Sequence, residues 1–117
     1  MRRVRWPLAR VAVAGWSMSP ALLPGDYLLV RRGGRAARPG DVVVLRPPDR
    51  GTLHVIKRIS RIEPDGRLWV EGDQPAASDD SRLFGAVAPD RVDGRVLGRY
   101  WPWWARARRA VRWTPPV

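Results

Sequence analysis

Residues 24–45, PGDYLLVRRGGRAARPGDVVVL, hold the same tripeptide twice, Pro24-Gly25-Asp26 and Pro39-Gly40-Asp41. Each is followed by a short β-prone run, Tyr27–Val30 and Val42–Leu45. Proline presets φ for the second position of a type II turn, and glycine supplies the positive φ of the third. Each tripeptide therefore turns the chain and launches a strand. Working outward, the pattern repeats. Val11–Ala14 is small and apolar, and Leu53–Ile62 is a longer strand candidate. Arg67–Glu71 is entered through Pro64-Asp65-Gly66, and Val92–Leu97, with Gly94 inside it, reads as a last strand. Short strands separated by turn signals predict a mainly β, compact antiparallel domain. No strong helix pattern precedes residue 100, and a short basic C-terminal helix is expected near residues 105–113.

The chain has 117 residues, enough for one domain spanning 1–117, with a core over about 11–102 and a basic Trp/Arg tail at 103–117. Without cysteine there are no disulfides or thiolate metal sites. With one histidine, His54, a site of several imidazoles is excluded, and a Ser-His-Asp triad has only that residue to use. The net charge of +11 is concentrated at the two ends, since residues 26–93 are nearly neutral. Basic ends attract polyanions, either nucleic acid or an anionic membrane surface. The longest uncharged stretch, Val11 to Gly25, is too short and too interrupted for a spanning helix.

Of the 22 cationic side chains, a single one is lysine, Lys57. Side chains alternate across a strand, so Leu53, Val55, Lys57 and Ile59 share one face, and His54, Ile56, Arg58 and Ser60 the other. The lysine therefore sits on the apolar face. Burial disfavours the charged amine and suits it to general-base work, which arginine cannot do. The candidate nucleophile is Ser17, in Gly15-Trp16-Ser17-Met18-Ser19-Pro20, where Gly15 leaves room for an oxyanion. A third segment, Gly72 to Arg82, is turn-rich. In it Asp80 and Arg82 can pair, and Asp73, Asp79 and Asp80 lack the spacing of an EF-hand loop.

Together, Gly15 to Pro20, Gly25-Asp26, Val55 to Ile59, Gly72 to Gly85, Gly94-Arg95-Val96 and Tyr100-Trp101-Pro102 resemble the type I signal peptidases, in order and over most of the chain. The resemblance implies a serine endopeptidase with a Ser17/Lys57 dyad on a β fold. It implies that Ser78 orients the lysine, that Asp80 and Arg82 with Gly72 and Asp73 support the site, and that the Ser17 N–H is an oxyanion donor. Gly15 stands where some members supply a second donor. It also implies cleavage after small residues, a precursor protein with an N-terminal leader as substrate, and no metal or cofactor.

Typical members carry a spanning helix before the serine. Here 16 residues precede Ser17 and none form a span. The chain is accordingly similar to the compact nickel-type superoxide dismutase maturation proteases. It is expected in the cytoplasm, with peripheral contact to an anionic membrane through its tail. Processing of secretory preproteins at the membrane is the alternative. A non-enzymatic nucleic-acid-binding β domain explains the charge but leaves Lys57 unexplained.

Overall fold

A computed structural model describes residues 7–48 and 50–101. Six strands form one antiparallel sheet: β1 (Leu8–Ala12), β2 (Tyr27–Arg31), β3 (Val42–Leu45), β4 (Val55–Ile62), β5 (Leu68–Glu71) and β6 (Val92–Trp101). Their order is β1-β2-β6-β3-β4-β5. The last strand is thus inserted between the second and third, which ties the two ends of the described chain into one sheet. Between β5 and β6 lie a single helical turn, α1 (Ser81–Phe84), and 3-10 turns at Pro75–Ala77 and Pro89–Arg91.

Gly25 and Gly40 both take positive φ, +90° and +91°, so the two Pro-Gly-Asp turns work as their residues demand. Each turn also closes on its aspartate: Leu23 N–H donates to the Asp26 carboxylate at 2.9 Å, and Arg38 N–H to that of Asp41 at 2.8 Å. The apolar run of β3 is buried at every position. Val42 and Val44 join a core with Met18, Leu22, Leu28 and Val96. Val43 and Leu45 join a second core with Ile59, Leu68, Val70 and Val87. Alternation sends neighbours to opposite faces, so β3 is apolar throughout because both faces of the sheet are covered there.

Three strands differ from the sequence reading by two residues or more, and β2 and β5 by one. The first strand is Leu8–Ala12 rather than Val11–Ala14, because Val13 leaves the ladder to exchange backbone bonds with the Pro24-Gly25-Asp26 turn. The fourth begins at Val55 rather than Leu53, whose N–H closes a turn onto Arg50 and whose side chain is exposed. The sixth runs on to Trp101, because β2 pairs with it over that length. The helical turn α1 has no counterpart in the sequence pattern, and the expected C-terminal helix lies outside the described residues.

Candidate active site

In β4, Lys57 lies opposite Val43 of β3, and Ile59 lies opposite Val70 of β5. Residues opposite each other in an antiparallel pair share a face. Val55, Lys57 and Ile59 therefore point into the second core, and Lys57 is 4% exposed. Burial lowers its pKa; Asp80 and Asp79 pull it back up, while Arg50 and Arg82 press it further down. Among the described residues its amine is in no ion pair.

Arg58 pairs with Glu71, so the next step of the ladder places Gly72 beside Lys57, just past the end of β5. Gly72 is where the other pieces meet. A Cβ built there would lie 2.3 Å from Ser78 Oγ and 2.7 Å from the carbonyl oxygen of Ser17. Only a residue without a side chain lets both segments come this close. Gln74 N–H donates to the same Ser17 carbonyl at 2.8 Å, fastening the serine loop to the segment after β5.

The serine loop is held from its other side by its sequence. Met18 and Leu22 are plugged into the first core, 2% and 1% exposed, and Leu22 N–H bonds the Met18 carbonyl. Gly15 has φ +78° with open space where a side chain would stand. Ser17 is half-buried between plug and glycine. Its side chain is not hydrogen-bonded to Lys57 in this structure.

Asp80 organises the remaining loop. Its buried carboxylate accepts from Gly72 N–H (2.9 Å), Ser78 Oγ (2.8 Å), Arg82 N–H (3.1 Å) and Arg82 Nε (2.9 Å), with Arg82 Nη2 completing the ion pair. Burial alone would raise its pKa, but these donors outweigh burial and hold it well below the usual carboxylate range. One carboxylate thereby caps α1, fixes the Gly72 peptide and orients the Ser78 hydroxyl. The family resemblance implies a bond from Ser78 to the lysine amine; here the Ser78 proton goes to Asp80 instead. Asp73 pairs with Arg58 through two bonds of 3.0 and 2.9 Å, on the face away from Lys57. Asp79 pairs with Arg50. Each of the three loop aspartates is thus engaged by an arginine, and among the described residues no cation site forms from them. His54 is exposed and bonded to Asp93 at 2.6 Å, with no serine joining the pair among the described residues.

The sequence profile described as signal peptidase, peptidase S26, matches residues 5–63 and 60–101. The chain belongs to the signal peptidase family, peptidase S26. It is 30% identical to the mitochondrial inner membrane protease subunit 1 of Xenopus tropicalis, over 79% of this chain and 68% of that protein. It is 34% identical to the mitochondrial ATP-independent inner membrane protease subunit 1a of Arabidopsis thaliana, over 84% and 73%. It is 35% identical to the mitochondrial inner membrane protease subunit 2 of Danio rerio, over 81% and 66%.

Two residues of this signal peptidase domain have roles that the sequence does not announce. Ser81, 1% exposed, accepts the Val70 N–H at 2.8 Å and locks α1 onto β5. Arg58 also donates to the Gly40 carbonyl at 3.0 Å, so it ties β4 to the loop after β5 and to the turn before β3. A buried serine in a polar loop gives no periodic signal. Arg58 stands beside Lys57 in the sequence, but its partners are contributed by distant segments.

Proposed function

We propose that this chain is a serine endopeptidase in which Ser17 attacks the scissile carbonyl and Lys57, uncharged, takes the Oγ proton. The observation that carries this reading is the convergence at Gly72. The chain's one lysine, buried without a counter-ion among the described residues, lies beside a glycine onto which the Ser17 and Ser78 segments close. Burial keeps the amine neutral at lower pH than a free lysine, which is what a base needs. Ser78 gives its proton to Asp80, so its oxygen lone pairs are left to accept an N–H from the amine and aim it at Ser17. As Oγ bonds the carbonyl carbon, the developing oxyanion is met by the Ser17 N–H, with Gly15 leaving space beside it. Lys57 then passes the proton to the leaving amine, and water hydrolyses the acyl-enzyme.

The substrate we infer is a precursor protein with an N-terminal leader, processed at a membrane after small residues. The relatives are named as inner membrane protease subunits, which favours preprotein processing over the nickel superoxide dismutase maturation expected from the sequence motifs. No helix of the described residues is long and apolar enough to cross a membrane. An exposed aromatic group does reach solvent: Trp16 beside the nucleophile, and Tyr27 stacked on Tyr100 next to Trp101. Tyr27, Tyr100 and Trp101, with Arg10 beside them, suit the interface of an anionic bilayer, and Trp16 is a further exposed aromatic. The deciding experiment incubates the protein and its Ser17→Ala variant with a secretory preprotein and with a nickel superoxide dismutase precursor. Ser17-dependent release of the preprotein leader is expected. Cleavage of the second precursor alone would restore the maturation reading, and cleavage of neither would overturn both.

A further inference from the structure

Arg95 of β6 lies opposite Arg31 of β2 on one side and Val43 of β3 on the other. Its side chain therefore shares the face of Lys57, two strands away. Arg95 is 4% exposed, and its Nε and Nη1 are buried without any hydrogen-bond partner among the described residues. A buried guanidinium ordinarily has a carboxylate or several carbonyls on it. The carboxylate that acts on it, Asp41, is already engaged. Asp41 receives Arg35 through two bonds of 2.9 and 3.0 Å and the Arg38 N–H besides. Asp93, further along β6, is held by Arg46 and His54. Burial lowers the Arg95 pKa, Arg35 adds to this, Asp41 opposes it, and Arg31 and Arg38 add again. Arg95 is thus a buried cation with other arginines around it and the neighbouring carboxylates already engaged.

Arg95 also lines a cavity of about 320 Å³. The walls include Ile62, Leu68 and Val92; Arg31 and Arg35 stand at the same cavity, as does Asp93, whose carboxylate is held by Arg46 and His54. The volume is that of a small-molecule site, with apolar walls and a few convergent polar groups. We propose that this cavity binds a small organic acid, with its carboxylate on Arg95 and a short apolar body against Ile62, Leu68 and Val92. Arginine suits a carboxylate because its planar donors match the two oxygens. An anion there places a counter-charge beside Arg95, since Asp41 and Asp93 are already engaged by other cations. The site is separate from Ser17, so its occupancy is read by binding and not by proteolysis.

The test is calorimetric titration of the full chain with octanoate, with octanol and with inorganic phosphate. Saturable octanoate binding that exceeds the other two is expected. Arg95→Met, which fills the same space with apolar atoms, is expected to weaken it about tenfold or more. Ile62→Trp, which narrows the cavity at its rim and leaves Arg95 in place, is expected to weaken it too. Matched circular dichroism of each variant separates lost binding from lost folding, and Ile62→Trp keeps the test decisive if Arg95→Met does not fold. Octanol bound as well as octanoate would reduce the cavity to an apolar hole. Phosphate bound as well as octanoate would leave the walls without a role. No binding, or binding that both variants retain, would also overturn the proposal.

Discussion

Lys57 carries one amine on an apolar face, and its chemistry follows from that cost. A lowered pKa in the folded state means the fold favours the neutral amine. The linkage therefore has a definite sign. Stability carries its full penalty below the folded pKa and rises as pH climbs from there towards the unfolded value near 10.5. Replacing the amine by an apolar chain removes the penalty. Lys57→Met is expected to be more stable than wild type by about 1 kcal/mol at neutral pH while losing activity, as urea denaturation and a peptide-cleavage assay would show. Lys57→Arg keeps a cation that stays protonated, so cleavage should fall about 1000-fold or more. Wild-type-like turnover by that variant would end the dyad. The two-residue alternation of β4 makes the lysine's apolar surroundings legible in the sequence. The direction of the Ser78 hydroxyl is not legible there, because it is set by Asp80, which reaches it only once the loop has folded back onto Gly72.

The elements that build the site are short, and contacts hold them rather than propensity. The helical turn α1 spans four residues and is pinned by Asp80 at its start and by Ser81 on β5. Such a turn would not persist alone. Asp80 has a depressed pKa, so its contribution is present above about pH 3.8 and is lost as pH falls below that value. Wild type should therefore lose more stability than Asp80→Asn between about pH 5 and pH 2.5, measured as the shift in urea midpoint. At neutral pH Asp80→Ala should cost about 3 kcal/mol, since it strips partners from Gly72, Ser78 and Arg82 together. Gly72 is the tightest point. Gly72→Ala drives a methyl into Ser78 and the Ser17 carbonyl, with an expected cost of about 2 kcal/mol and a larger fall in kcat than in substrate affinity. A glycine before an aspartate reads in the sequence as a turn. Its role as the contact point of three segments exists only in the folded chain.

For the whole molecule, the charge and the exposed aromatics make a prediction about surfaces. Co-sedimentation with anionic vesicles is expected, with binding to neutral vesicles much weaker and the anionic binding reduced by salt. Trp16→Ala should weaken that binding without unfolding the domain, since the side chain is 60% exposed. Equal sedimentation with both vesicle types, or with neither, would remove the anionic surface from the account. The sequence by itself determined the class of fold, the approximate strands and the identity of Lys57 as a lysine on an apolar face. Those properties are local, being fixed by turn chemistry and a two-residue period. Tertiary structure alone decided that β6 enters between β2 and β3, that Gly72 sits beside Lys57, and that Arg95 is buried with two of its nitrogens unpartnered among the described residues. Each of these depends on which distant strands pair and in what register. An arginine at an alternating position gives no sign of burial until Arg31 and Val43 are placed on either side of it.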